Sequence, residues 1–224
     1  MELQDKKVVV TGGSRGIGFE ICKIFLEHGA EVLAVSRNSD NLRIASGLLP
    51  GLITFQADLT LNTDNERLAN WVLGHWARLD ILVNNAGVSP EGGRELTVQP
   101  DTIFEETIQV NLFGPYLCTK RLLPFLQKAK WPRIVNIGSS VGIMSSDLTG
   151  AYSISKAALH ALSVAFANEL RGKVSVNTLC PGWVRTDMAP DAPGDPRTSA
   201  ESTLWLVTQP WEFTGKIIRG RVPV

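Results

Sequence analysis

Tyr152 and Lys156 stand four residues apart in AYSISKAALHALSVAFANELRG, a segment with helical spacing of its apolar positions. One helical turn separates them, so a phenol and an ammonium share a face. A neighbouring cation makes the deprotonated phenol less costly: free tyrosine titrates near a pKa of roughly 10, and each unit of depression is worth about 1.4 kcal/mol. The pair is suited to exchanging a proton. Upstream, the apolar run RIVNIGSS ends on the hydroxyls of Ser139 and Ser140, at the strand end where open α/β sheets bind ligands. Near the start of the chain, VVVTGGSRGIG sets Gly12, Gly16 and Gly18 between a β-branched run and a helical pattern. Backbone amides and the positive helix end can hold a pyrophosphate there without a large side chain intruding. The spacing T-G-x-x-x-G-x-G departs from G-x-G-x-x-G, and such glycines can also serve the turn alone. Arg15 puts a cation in the middle of this loop.

These groups need elements to position them. KKVVVT, EVLAVS, LITFQAD, DILVNNAG, RIVNIGSS and VSVNTLCPG read as short, nearly continuous apolar strands, and helical patterns run through GIGFEICKIFLEHGA, TDNERLANWVLGHWARL, a long region from Asp101 to Gln127, and the Tyr152 segment. The alternation predicts a single α/β domain over residues 1–224, a doubly wound parallel sheet of about seven strands with helices on both faces. Asn111 falls inside the long helical region, and Gly114 and Pro115 after it predict a local distortion. The Pro- and Gly-rich APDAPGDPRTSA makes a short loop at about 187–200. Thr198 and Glu201 form a capping-box pattern before the helix STLWLV, and GKIIRG offers a last short strand.

Lysine plus arginine and aspartate plus glutamate each total 22, so no global charge favours nucleic acid or an anionic membrane. No apolar run reaches membrane-spanning length, and MELQDKK lacks the features of an export signal. Cys22, Cys118 and Cys180 are far apart and match no metal or disulfide pattern, which fits a reducing, cytoplasmic compartment and no bound metal. They are expected as buried apolar positions, His28, His75 and His160 as surface or packing residues, and Trp71 and Trp76 as packing on the sheet.

TGGSRGIG, NNAG (Asn84 to Gly87), VNLFG, NIGSSVG, YSISK and PGWVRTDM together resemble the short-chain dehydrogenase/reductase family in order and spacing, from Lys6 to about Met188. The carbonyl-reductase and 3-oxoacyl-reductase types are the most similar. The resemblance implies a Rossmann-type oxidoreductase that interconverts a carbonyl and an alcohol by hydride transfer, with Asn111, Ser139, Tyr152 and Lys156 as its catalytic set. Tyr152 would exchange the proton, Ser139 would orient the substrate oxygen, and Asn111 would position a water linked to Lys156. The thirteen-residue step from Ser139 to Tyr152 is the family's spacing and selects Ser139 over Ser140. The dinucleotide would be held by Gly12, Ser14, Arg15, Gly16, Ile17 and Gly18. Asp58 and Leu59 would meet the adenine, Asn85, Ala86 and Gly87 its ribose, and Pro181, Gly182, Val184 and Thr186 the nicotinamide end, with Tyr152 and Lys156 beside them. NAD-preferring members place an acid at the end of the second strand, where this chain has Ser36 followed by Arg37. Those two residues and Arg15 would converge on a 2′-phosphate, so NADP(H) is expected over NAD(H).

The substrate would be a small carbonyl or alcohol compound, met by SPEGGREL, by GIMSSDL and by the loop after Thr186, where Ile143, Met144, Leu148, Trp183 and Met188 make an apolar wall. Self-association as a homodimer or homotetramer is expected through Asp101–Gln127 and Gly150–Arg171, with Phe104, Phe113, Leu117, Leu159 and Phe166 outward. A non-catalytic nucleotide-binding regulator on the same fold is the alternative from another class. The intact set of proton-handling residues argues against it, and the short tail argues against nucleotide-sugar chemistry.

Overall fold

The computed structural model of the chain describes residues 2–90, 95–143 and 150–224. In chain order the elements are β1 (Lys7–Thr11), α1 (Gly16–Glu27), β2 (Glu31–Ser36), α2 (Ser39–Leu48), β3 (Ile53–Gln56), α3 (Asn62–His75), β4 (Ile81–Asn84), α4 (Asp101–Ile108), α5 (Gly114–Leu126), β5 (Arg133–Ile137), α6 (Gly150–Glu169), β6 (Ser175–Cys180), α7 (Pro196–Thr208), β7 (Ile217–Arg219) and β8 (Val222–Pro223). The strands form one sheet in the order β3-β2-β1-β4-β5-β6-β7-β8. Pairing is parallel from β3 to β7, and β8 adds a two-residue antiparallel edge that the sequence pattern did not announce. This is a single-domain Rossmann-like fold.

Strand alternation divides the core. Val8 and Val10 of β1 face one layer, which holds Ile21 and Phe25 of α1, Leu42 of α2 and Leu206 of α7. Val9 faces the other, with Leu68 and Val72 of α3, Leu122 and Leu126 of α5, and Ala167 of α6. Each fully buried side chain of this kind contributes about 1.5–3 kcal/mol, so both faces of the central strands are held by apolar burial. The order reverses between β1 and β4, and the crevice at their carboxyl ends is where such sheets accept ligands.

Three local features depart from or sharpen the sequence expectation. The helical region from Asp101 is interrupted by a π-turn, Gln109–Phe113, with Asn111 at its centre. Helix α2, to which the sequence reading assigned no element, begins where the Asn38 side chain accepts the Asn41 N–H at 2.9 Å. Helix α7 starts before the expected capping box: Asp195 caps it by accepting the Arg197 N–H at 2.8 Å, and Pro196 takes the first helical position, where its missing N–H costs nothing. Thr198 therefore lies inside the helix. The loop that precedes α7 is folded on itself through bridges between Val184 and Gly194 and between Thr186 and Ala189.

A buried polar ladder ties the middle strands to their helices. Asn84 Nδ2 donates to Thr119 Oγ1 on α5 and to Asn136 Oδ1 on β5, and Asn136 Nδ2 donates to Ser163 Oγ on α6. These buried amide bonds favour one register, because breaking one would strand a buried donor, although Asn84 Oδ1 itself has no partner among the described residues. The ladder links β4, β5 and α6; Gly87 and Ser139 follow the two strands, and Tyr152 lies on the helix.

Candidate active site

A cavity of about 600 Å³ opens at the carboxyl ends of β1, β2, β4 and β5. Gly12, Ser14, Arg15, Gly16 and Ile17 form one wall, and Ser36, Arg37, Asp58 and Leu59 the far end. Asn85, Ala86 and Gly87 make the floor, while Tyr152, Lys156, Pro181 and Thr186 close the near end. The structure thus gathers residues from all three thirds of the chain around one hollow.

The glycine wall is shaped by what a side chain would do there. Gly12 has φ +64°, and a Cβ on it would stand 2.9 Å from the Ala86 Cα. Gly16 has φ +54°, also in the region that favours glycine. Gly18 does not line the cavity. A Cβ on it would collide with the Gly12 carbonyl oxygen, so its role is to let α1 approach the loop. The first turn of α1 has no capping side chain and no acidic residue, since Arg15 at its N-cap makes no side-chain cap bond. Its amides and dipole are left to an external anion. Asn85 braces the loop, its Nδ2 donating to the carbonyls of Thr11 at 2.9 Å and Gly12 at 3.2 Å. These features fit the diphosphate of a dinucleotide.

At the far end Ser14 Oγ donates to Ser36 Oγ at 3.1 Å, and no carboxylate closes β2. Arg37 Nη1 lies 3.8 Å from Asp58 Oδ2, while Arg15 Nη1 pairs with Asp187 Oδ2 at 2.6 Å across the cavity mouth. The sequence reading aimed Arg15 and Arg37 at one 2′ position; in the structure each faces a carboxylate. The Arg15–Asp187 pair is exposed and the Arg37–Asp58 pair, with a half-buried carboxylate, partly so; exposed pairs of this kind are worth about 0–1 kcal/mol.

At the near end Lys156 is buried, its Nζ donating to the Ile137 carbonyl at 2.8 Å and standing 5.6 Å from the centre of the Tyr152 ring. Burial pulls its pKa down from 10.5 to about 8. Gly87 separates it from Asn111: a Cβ there would lie 3.3 Å from Asn111 Oδ1 and 3.5 Å from Lys156 Nζ. Asn111 itself is fully buried and does not line the cavity. Its Oδ1 accepts the Val88 N–H at 2.8 Å, and its Nδ2 donates to the Val88 carbonyl at 2.9 Å and to Ser155 Oγ at 3.0 Å. Ser155 Oγ in turn donates to the Tyr152 carbonyl at 2.6 Å, which joins the π-turn to the helix carrying the tyrosine.

Ser139 is half-buried just past β5 and leads into a short turn, Ser140–Gly142. Gly182, with φ +84°, and Val184, which is buried, shape the loop after β6 and stand outside the cavity wall. Trp183 is 68% exposed, and Met188 and Ile143 are also open to solvent. Met144 and Leu148, and residues 91–94 of SPEGGREL, lie outside the described residues. The three cysteines are buried and free, and Trp71 and Trp76 pack against the sheet as expected. His28 and His75 bond helix carbonyls through Nδ1. His160 is the packing case of that expectation: it is buried against Ser139 and Cys180, a contact that periodicity does not announce. Its one-turn spacing after Lys156 was the available signal. Among the described residues no cluster of three or more His, Cys, Asp or Glu has metal-site geometry, and no helix is long and apolar enough to cross a membrane.

The family model for short chain dehydrogenases matches residues 6–196. The chain belongs to the short-chain dehydrogenase family. It is therefore an oxidoreductase, and no observation favours the non-catalytic alternative. Among its relatives, the 3-oxoacyl-(acyl-carrier-protein) reductase of rhamnolipid biosynthesis from Pseudomonas aeruginosa is 38% identical over 204 residues, covering 87% of this chain and 79% of that one. L-fucose dehydrogenase from Bos taurus is 34% identical over 206 residues, covering 89% and 75%. A short chain dehydrogenase from Shigella flexneri, solved in complex with NADP, superposes with a TM-score of 0.89 at 28% identity, over 99% of each chain.

Proposed function

We propose that the protein is an NADPH-preferring reductase of small carbonyl compounds that acts through Tyr152 and Lys156. The observation that carries this reading is the placement of that pair, one turn apart on α6, in the wall of the same cavity as the glycine loop. A bound nicotinamide dinucleotide supplies the hydride, or accepts it in the alcohol-to-carbonyl direction. Tyr152 delivers a proton from its hydroxyl to the substrate oxygen. Lys156, a desolvated cation beside the ring, makes the phenolate less costly. Ser139 supplies a hydroxyl that orients the same oxygen. Asn111 holds the Val88 backbone and, through Ser155, the helix turn on which Tyr152 sits, so its contribution is alignment of the pair.

The preference for NADPH rests on Ser36, Arg37 and Arg15 around the expected 2′ position, with no acid at the end of β2. The relative solved with NADP supports it, while the reductase and sugar-dehydrogenase relatives leave the substrate's carbon skeleton open. The exposed Met188 in the cavity wall favours an apolar substrate. Three buried free thiols suit the cytoplasm.

Tyr152→Phe is expected to bind NADPH as the parent does and to lose at least about a hundredfold in turnover, the usual scale of general acid catalysis. Loss of NADPH absorbance across a panel of carbonyl compounds measures it, and turnover within about tenfold of the parent would remove Tyr152 from the role. NADPH is expected to bind at least about tenfold more tightly than NADH, a difference of about 1.4 kcal/mol. Ser36→Asp with Arg37→Ala should reverse the order; equal affinities in the parent would end the assignment of the two arginines.

A further inference from the structure

His160 lies one turn beyond Lys156 on α6 and is 5% exposed. Its ring fills the space under the carboxyl ends of β5 and β6. The Ser139 N–H donates to His160 Nε2 at 3.4 Å, and Cys180 Sγ stands 3.8 Å from the same nitrogen. The enclosure is tight on the remaining side: a Cβ on Gly138 would collide with Nε2 and would stand 2.6 Å from Thr178 Cγ2. One imidazole thus meets the strand end that carries Ser139, the helix that carries Lys156, and the strand end that leads into Pro181.

The contact requires a particular protonation state. An amide hydrogen is accepted only by a bare ring nitrogen, so Nε2 is unprotonated and Nδ1 carries the hydrogen. The surroundings hold the ring neutral. Burial lowers its pKa to about 4 and the neighbouring Lys156 cation acts in the same direction; the Gly142 carbonyl opposes them without a hydrogen bond of normal geometry to Nδ1. Cys180, raised to about 11 mainly by burial despite Lys156 and Arg219, remains a neutral thiol beside the same nitrogen.

We propose that His160 is a positioning residue, whose Nε2 accepts the Ser139 amide and so fixes the backbone from which the Ser139 hydroxyl reaches the substrate oxygen. This rests on the role given above to Ser139. The geometry also explains why Gly138 precedes that serine, since only a residue without a side chain lets β5 end against the ring.

The test compares the parent with His160→Gln, whose amide oxygen can accept the same hydrogen, and His160→Leu, which fills the space without an acceptor. In the parent, ring 15N signals should show a bare Nε2 and a protonated Nδ1 from pH 8 down to about 5. Without any ligand, the Ser139 amide should exchange with solvent about tenfold faster in His160→Leu than in the parent, equivalent to about 1.4 kcal/mol, and near the parental rate in His160→Gln. With NADPH and carbonyl, kcat should fall about tenfold in the leucine variant, with NADPH affinity held, and recover in the glutamine variant. A ring that only fills space predicts the reverse order, because a buried Gln is the poorer filler. Unchanged Ser139 exchange in His160→Leu, or a protonated Nε2 in the parent, overturns the proposal even if a variant fails to fold. A parent that shows the expected exchange and ring signals but reduces no carbonyl upholds the contact and removes instead the reductase assignment.

Discussion

Lys156 shows how one side chain's burial sets a working pH range. Its ammonium is surrounded by protein and donates to the Ile137 carbonyl, and the lost hydration brings its pKa to about 8. At neutral pH most of the population still carries the charge that the proposed role of Tyr152 requires. Above about 8 the charge is lost, so kcat/KM for the dinucleotide, which reports groups of the free enzyme, should decline about tenfold per pH unit there. A profile flat to pH 9.5 would show that the cation is not needed. The stability consequence has the opposite sense. Between pH 8 and 10.5 the unfolded chain binds a proton that the folded chain has released, so this group makes the fold more stable as pH rises through that window and adds nothing further below it. The type and spacing of Tyr152 and Lys156 were legible in the sequence, whereas the depth of Lys156 was not, because a lysine on an arbitrary helix is solvated.

At the scale of elements, the π-turn between α4 and α5 presents Asn111 to the backbone of Val88 and to Ser155. Replacing it by leucine leaves a buried N–H, a carbonyl and a hydroxyl short of partners, at about 2–3 kcal/mol in total. For a chain of this length that lowers the melting temperature by roughly 4–12 °C, measurable by calorimetry, and the same variant should lose turnover. A melting temperature within 1–2 °C of the parent, by that same scale, would mean that the turn stands without the asparagine. Gly114 and Pro115 announced a distortion here. Helix α2 escaped because its buried residues are only Leu42 and Ala45, too few to make a periodic stripe; its cap, Asn38, was the surviving signal. For α7 the cap pattern at Thr198 misled, because Asp195 and Pro196 three residues earlier make the better helix start.

For the whole molecule, the open face of α5 and α6 carries more apolar surface than a solvated helix pair needs. Phe113 and Val164 are exposed, and Tyr116 stacks on the half-buried Phe166 with ring centres 6.3 Å apart. Leu159, expected on this outer face, is buried instead and contributes nothing to it. Self-association through α5 and α6 is therefore expected, and light scattering at micromolar concentration should give a multiple of the 24.4 kDa chain mass. Phe113→Asp should return the monomer mass. A parent that is monomeric under those conditions would leave the face without this role.

The sequence alone determined the alternation of strand and helix and the two-sided burial of the central strands, which periodicity encodes within a few residues, and it singled out the glycine loop and the Tyr152–Lys156 pair through their resemblance to family motifs. Tertiary structure alone decided the strand order, the pairing of Arg15 with Asp187 across 172 positions of chain, and the passage of His160 from an unremarkable helix residue to the neighbour of Ser139. Periodicity tells a helix which side to bury and is silent about what lies opposite. A polar residue on that buried side acquires a role only from the partner that the fold brings to it, and that partner sits on another strand.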